Sequence, residues 1–213
     1  MKRVSNFLTA FIISCALILF ISAPLKAQMN NSMSISKSEQ LRLAMNKLWE
    51  DHITWTRNVI LCLVDNLPGA DQAVKRLLKN QDDIGDAIKP YYGDDAGKKL
   101  ADLLYAHINI AADVVKAAKA GDNAALESAN KKWFANADDI SEFLGKANPN
   151  WKPEDLKMMM HDHLTLTTNE ALARIKKDYD GDIKAYDAVH DEILKMSGAL
   201  ADGIIAQFPD KFK

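Results

Sequence analysis

The sequence predicts an all-α protein, an up-down antiparallel bundle of four to five long helices with short helices between them. Apolar residues recur at steps of three and four over most of the chain, for example at Leu100, Leu104 and Ile108, and this is the period of a helix with one buried face. No window shows the strict alternation of apolar and polar residues that half-buried strands require. The breaks between periodic segments, such as Pro68-Gly69 and Gly121-Asp122, are short, and short turns join antiparallel neighbours.

The first half of the chain carries clear helix start and stop signals. Ser36 followed by Glu39 forms a capping box, which opens the first predicted helix. Pro68-Gly69 ends that helix. Two short helices are predicted next, over residues 71–79 and 82–90.

The second half of the chain predicts four longer helices. The first begins at Asp94 or Asp95 and ends at Gly121-Asp122, where the aspartate caps the next helix. A break at residues 149–153 follows, and its last residue, a proline, suits the first turn of another helix. Residues 179–182 are predicted to be a turn, and a final helix is predicted to run from residue 183 to 208.

The first 27 residues are predicted to be a secretory signal peptide. Lys2 and Arg3 give a positive start, residues 7–23 form an apolar run, and small residues up to Ala27 offer a cleavage site. Residues 28–35 are then a flexible mature terminus and residues 36–213 a single helical-bundle domain. The expected location is the periplasm or the cell exterior. The alternative is a retained anchor, because about 17 apolar residues lie at the lower edge of what spans a bilayer. Membrane contact is expected only in that case.

The charge and the cysteine content argue against a nucleic-acid-binding protein and against a fold held by an internal disulfide. The leader carries Lys2, Arg3 and Lys26 and no acid, so the mature chain keeps 24 basic against 29 acidic residues, a net charge of −5. This acidic balance, without a basic stripe, argues against a nucleic-acid partner. The mature chain keeps one cysteine, Cys62, and therefore cannot form an internal disulfide.

The histidines give the sequence its chemical interest, since all five lie on predicted helices. His52, His107, His163 and His190 each stand three or four residues from apolar neighbours, so four separate helices are predicted to direct one imidazole inward. His161 lies two residues from His163, roughly 200° around the helix, so the two cannot both point straight inward.

Imidazoles from facing helices of a bundle can hold a metal ion, and this is the leading hypothesis for function. Neutral imidazole suits zinc, copper or iron. The predicted metal ligands are His52, His107 and His163, with His161 as a fourth candidate. A ligating histidine usually donates its second ring N–H to a carboxylate or carbonyl oxygen. The acidic residues predicted to orient these rings are Asp51, Asp138 and Glu170.

Two other functions remain open. The histidines of a cell-envelope interaction or sensory module would be structural core groups, since one histidine on an apolar stripe is more often a hydrogen-bonded core residue than a ligand. A metal-dependent enzyme would need an open coordination position, of which the sequence gives no sign. The paired Glu-x-x-His signature of di-iron bundles is absent, although Asp187 and His190 have its spacing once. The possible partners are a metal ion or an envelope protein.

Four stretches of the chain combine these histidines with tryptophan, acidic and amide residues. They are Trp49-Glu50-Asp51-His52 with Trp55 and Arg57; Ala106-His107; Trp133 with Ala135-Asn136-Ala137-Asp138; and His161-Asp162-His163 with Asn169-Glu170. In these stretches, and over about residues 40–208, the chain resembles a family of uncharacterised exported bacterial all-helical proteins. The resemblance implies a helical fold and points to the same four candidate ligands. Family members sometimes carry the names glycosyltransferase or acetylglutamate kinase, but both activities need α/β nucleotide-binding scaffolds, which this sequence does not predict.

Overall fold

The computed structural model describes residues 35–213, and within them the all-α prediction is confirmed. Six α-helices and a terminal 3-10 turn follow one another without a strand in this part of the chain. The helices are α1 (Lys37–Asp65), α2 (Ala70–Tyr92), α3 (Asp94–Ala120), α4 (Asn123–Ala147), α5 (Pro153–Ile175) and α6 (Tyr179–Gln207), and the 3-10 turn is Pro209–Phe212. The predicted leader lies outside the described residues, as does nearly all of the predicted flexible terminus.

Short connections make consecutive helices neighbours, as the sequence predicts. Each helix packs on the next one along the chain, and α6 returns to pack on α1, so the six helices form a closed ring. Arg42 near the start of α1 is paired with Asp202 near the end of α6, which fits an antiparallel arrangement of these two helices. Ser36–Lys213 form one compact unit. None of the helices between residues 35 and 213 is long and apolar enough to cross a membrane.

Several predicted helix ends are confirmed in atomic detail. The Ser36 hydroxyl accepts the backbone N–H of Glu39 at 3.2 Å at the start of α1. Gly121 ends α3 in the left-handed region at φ 69°, which glycine adopts at little cost. The Asp122 side chain then accepts the backbone N–H of Ala125 at 3.0 Å and caps α4. Pro153 occupies the first turn of α5, where its missing N–H is not needed.

The two short helices predicted for residues 71–79 and 82–90 are wrong, because the chain forms one continuous helix, α2. The polar pair Asn80 and Gln81, between the two predicted segments, is fully buried inside α2 and does not mark a break. Pro90 lies in the last turn of α2 and does not end it; Gly93 does, with a φ of 86°.

The turn predicted at residues 179–182 is also wrong. These residues form the first turn of α6, and the reversal of the chain lies just before them, where Lys177 adopts a φ of 60°. The Asp178 side chain caps α6 by accepting the backbone N–H of Gly181 at 3.0 Å. The Asp-Gly pair in the sequence is therefore part of a helix N-terminus.

Candidate binding site in the bundle core

Three of the five histidines meet in the centre of the bundle. His52 of α1, His107 of α3 and His163 of α5 are each at most 3% exposed. The ring centroid of His163 lies 5.8 Å from that of His52 and 6.4 Å from that of His107. The structure thus brings together three residues that the sequence singled out, from helices far apart along the chain.

His107 has both ring nitrogens engaged. Its Nδ1 lies 2.8 Å from Asn136 Oδ1. The Asn136 amide nitrogen donates to the Leu103 carbonyl at 3.1 Å, which turns the amide oxygen toward the ring. Nδ1 is therefore the donor, and the Nε2 lone pair accepts the indole N–H of Trp133 at 3.2 Å. Burial, reinforced by the neighbouring His163, lowers the pKa of His107 to about 3, so this ring is neutral.

His52 is held more loosely. The Gln81 side-chain nitrogen donates to the Leu77 carbonyl at 2.7 Å and lies 3.4 Å from His52 Nδ1, which makes the second contact weak. Burial lowers the pKa of His52 well below its ordinary value, and the nearby His163 and His107 add to this shift. His52 is therefore also a neutral imidazole inside the bundle.

His163 is oriented by an acid that the sequence did not single out. Its Nδ1 lies 3.2 Å from Glu192 Oε2 of α6, and a carboxylate oxygen accepts the ring N–H. The other carboxylate oxygen of Glu192 is buried and has no hydrogen-bond partner among the described residues.

Together these contacts form a polar layer across the bundle, to which every helix contributes. Its members are His52 (α1), Asn80 and Gln81 (α2), His107 (α3), Trp133 and Asn136 (α4), His163 (α5) and Glu192 (α6). The amide members could have been found by the reasoning that found the histidines. Gln81 stands four after Leu77, and Asn136 four before Ile140, so both interrupt apolar stripes. Glu192 has the same spacing, since it stands three after Val189 and four before Met196.

The remaining two histidines lie away from this layer. His161 is partly exposed and bonds through Nε2 to Asp138 Oδ1 at 2.8 Å. His190, predicted to point inward, has a third of its side chain exposed and lies 3.4 Å from Glu50 at the surface. That inward prediction is wrong because the buried positions of this turn are Val189 and Ile193, which turns the neighbouring residue outward.

The three predicted acidic residues do not orient the central rings. Asp51 pairs with Lys47 at 2.8 Å and with Arg76 at 3.2 Å, and the hydrogen bond from Lys47 is the main reason that its pKa is lowered. Asp138 contacts a histidine, but it is the outer one, His161.

Glu170 belongs to a separate buried ion network. Arg57 Nη1 donates to Glu170 Oε1 at 2.7 Å and to Asp182 Oδ1 at 2.8 Å, and it thereby ties α1 to α5 and α6. Arg174 adds a second guanidinium to Asp182 at 3.3 Å. Burial raises the pKa of Glu170 to about 7, against the opposing effect of Arg57.

A cavity of about 140 Å³ lies on one side of the polar layer. Five helices line it, and its wall is almost entirely apolar; Val59, Ile60, Ile108, Val115, Leu126 and Trp133 are among its residues. Trp133 belongs to both features, because its ring lines the cavity while its N–H is bonded to His107. On the other side of the layer the apolar core is nearly close-packed, with a void of about 20 Å³.

The polar groups on the cavity wall are few. Thr56 and Thr167 donate their hydroxyl protons to the carbonyls of His52 and His163, both at 2.8 Å, so these protons are used within the helices. Asn130 of α4 also lines the cavity, and its Oδ1 is buried without a hydrogen-bond partner within residues 35–213. Asn130 and Leu126 also line a surface groove on α4, so these two residues border both the cavity and the groove.

The central histidines do not form a ready metal site. Among the described residues, no three His, Cys, Asp or Glu side chains form a group that could hold a metal ion. The physical reason is clearest at His107, where the lone pair that a metal would use accepts the N–H of Trp133.

Comparisons of the chain with protein-family models, with curated proteins and with solved structures found no match. The resemblance to exported helical proteins therefore stays a prediction. The function has to be argued from the layer and the cavity themselves.

Proposed function

We propose that this protein binds a small, largely apolar molecule inside the bundle, in the cavity beside the polar layer. The cavity itself carries the proposal. Interiors of proteins are close-packed, and voids much larger than a water molecule are few. A space of about 140 Å³ is close in size to an apolar cavity of roughly 150 Å³ that binds benzene or xenon.

The side chains of the cavity wall favour binding of an apolar ligand over binding of an ion or a sugar. Its side chains are mostly alanine, valine, isoleucine and leucine, with one tryptophan face. A polar molecule would lose its hydration there without regaining enough hydrogen bonds. A ligand of seven or eight non-hydrogen atoms can gain on the order of −4 to −5.5 kcal/mol, which corresponds to a Kd of about 0.1–1 mM.

The polar layer fixes one side chain of the cavity wall, Trp133. The His107 ring is neutral and bonded on both sides, to Asn136 and to Trp133, so it fixes the indole that forms part of the wall. The role that this proposal gives to the central histidines is therefore positioning. If the predicted leader is cleaved, the protein acts as a binding protein of the periplasm or of the cell exterior.

The test is a toluene titration of the untagged mature chain, followed by calorimetry or by NMR. Ala111→Leu adds three carbon atoms to the cavity wall from α3. Ala117→Leu makes the same change on the same helix at a half-buried position outside the cavity wall and is the matched control. We expect saturable binding to wild type and to the control, and a loss of at least about tenfold in Ala111→Leu. The absence of saturable binding to wild type would overturn the proposal.

A metal ion held by His52, His107 and His163 is the second candidate. One observation favours it: the Nδ1 atoms of these rings contact Gln81, Asn136 and Glu192, respectively. Outer contacts of this kind fix the rings of metal-ligating histidines and leave Nε2 for the metal. Binding would require His107 Nε2 to exchange the Trp133 N–H for the ion.

Metal analysis of untagged protein, after dialysis against zinc, copper and iron salts in turn, tests this candidate. This candidate predicts one equivalent of one of the three metals in wild type and in His190→Ala, which changes a surface histidine. His163→Ala is expected to lose it. Less than about a tenth of an equivalent in wild type, or equal metal in both variants, would rule the central site out.

A further inference from the structure

We infer that the ligand of the cavity carries a hydrogen-bond donor that pairs with Asn130, so that the site prefers a phenol to a hydrocarbon of the same size. This inference rests on the proposed function and narrows it to one chemical class. The unpaired amide oxygen of Asn130, a residue of the cavity wall, carries it.

Asn130 presents an acceptor that the protein leaves unpaired. Its Oδ1 is buried and has no partner among the residues that the structure describes, whereas its side chain forms part of the cavity wall. Buried acceptors are nearly always satisfied in native proteins, because an unpaired one destabilises the fold. A turn of the Asn130 amide toward the cavity would let an O–H or N–H group of a ligand satisfy this oxygen.

The neighbouring groups on the wall cannot supply that donor. The hydroxyl protons of Thr56, Thr167 and Thr168 go to the carbonyls four residues earlier, each at 2.8 Å. The indole N–H of Trp133 goes to His107. The hydroxyl and indole donors of these residues are thus committed elsewhere, and the unpaired acceptor among the wall residues is the Asn130 amide oxygen.

The position of Asn130 also orients the ligand. Asn130 and Leu126 border both the cavity and the surface groove of α4. Ile108 and Trp133 line the cavity next to the polar layer. A phenol would therefore place its hydroxyl group beside Asn130 and its ring against these apolar side chains.

Phenol and toluene have nearly the same shape and differ in the hydroxyl group, so their affinities measure the role of the donor. Phenol is better hydrated than toluene, and a purely apolar cavity would bind toluene more tightly. With Asn130 present, we expect phenol to bind at least as tightly as toluene. Asn130→Leu should weaken phenol binding by about tenfold and change toluene binding by less than about threefold.

Two further variants make the experiment decisive. Asn123→Leu changes an asparagine that lines the outer groove but not the cavity, and it should keep the wild-type preference. Asn130→Ala removes the amide without adding bulk and should lose the preference as Asn130→Leu does. Toluene binding in each variant shows that the cavity is still formed.

The outcomes separate the two proposals. If toluene binds and phenol binds more weakly, or if Asn130→Leu and Asn130→Ala leave the phenol-to-toluene ratio unchanged, the inference about Asn130 is overturned and the cavity proposal stands. If neither compound binds to wild type, both proposals fail.

Discussion

Trp133 and His107 are joined by a hydrogen bond of 3.2 Å from the indole N–H to the imidazole Nε2, and their ring centroids lie 5.3 Å apart. Through this pair, the polar layer and the cavity wall share one side chain. A change at either residue is therefore expected to affect both the stability of the bundle and the shape of the cavity.

Trp133→Phe removes the donor and keeps an aromatic ring. His107 Nε2 would then be a buried acceptor without a partner, so we expect a loss of about 1–3 kcal/mol in the free energy of unfolding. Trp55→Phe is the comparison. Trp55 is half-buried on α1, and its indole N–H takes no part in the polar layer. Urea unfolding followed by circular dichroism measures both. Equal losses in the two variants would contradict the structural role of the bond.

The buried histidines predict a dependence of stability on pH. The folded pKa of His107 is lowered to about 3, while the unfolded value is about 6.5. The contribution of the neutral His107 ring to the free energy of unfolding is fully present at pH values above the unfolded pKa. It is lost as the pH falls below that pKa. At pH 5.5 the loss from His107 is about 1.4 kcal/mol, and His52 adds a loss of the same sign.

Glu170 has the opposite effect on stability. Burial raises its pKa in the folded protein to about 7, so lowering the pH from that value to the pKa of the unfolded chain protonates Glu170 and stabilises the fold. The informative quantity is therefore the difference between wild type and His107→Gln. Measured in EDTA at pH 7.5 and 5.5, wild type should lose about 1.4 kcal/mol more than the variant. Parallel pH profiles for the two proteins would show that the ring is not held neutral.

The ion network around Arg57 predicts a large effect from one substitution. Arg57→Ala leaves Glu170 and Asp182, both at most 1% exposed, without this guanidinium, and removing one partner of a buried pair costs about 3–5 kcal/mol. Arg42→Ala breaks an exposed pair with Asp202 and should cost at most about 1 kcal/mol. Chemical unfolding gives both values. A loss below about 1 kcal/mol for Arg57→Ala would contradict the assigned contacts.

Substitution by alanine is predicted to have opposite effects at two glycines, Gly85, where α2 lies close to α3, and Gly198 of α6. A Cβ atom on Gly85 would meet the backbone oxygen of Gly97, which cannot move aside easily, so Gly85→Ala should lower the melting temperature. Gly198 lies inside α6 with open space around its Cβ position. There the same substitution should stabilise the protein by about 0.5–1 kcal/mol, because alanine favours the helix. Stabilisation by Gly85→Ala would show that the two helices are farther apart than described.

The sequence was sufficient for the fold class, because helical periodicity and end signals such as Ser36 and Asp122 are local properties. The sequence was misleading where polar residues could indicate either a break between helices or a buried position. Asn80 and Gln81 suggested a break between helices, yet they are buried members of the polar layer. The convergence of three histidines was predictable from their apolar stripes. The outward position of His190 was not, because each residue turns the helix by about 100° and residue spacing does not fix the direction of a side chain that closely.

The partners of the histidines were less accessible to sequence reasoning. Glu192, and not one of the three predicted acids, contacts His163, and that contact depends on how α5 and α6 are aligned. The cavity could not be predicted either, since it results from small residues such as Ala111 and Ala171 on different helices facing one another. A void depends on the relative heights of helices, which no single segment encodes.

The proposed function requires that the space beside the polar layer take up a small apolar molecule. The most direct measurement is a crystal structure of the protein under xenon pressure, because xenon enters apolar cavities of this size. We expect a xenon atom bounded by Ile60, Ile108 and Trp133 in wild type, and none in Ala111→Leu. Xenon only at surface sites, or an equally occupied site in both proteins, would contradict the account.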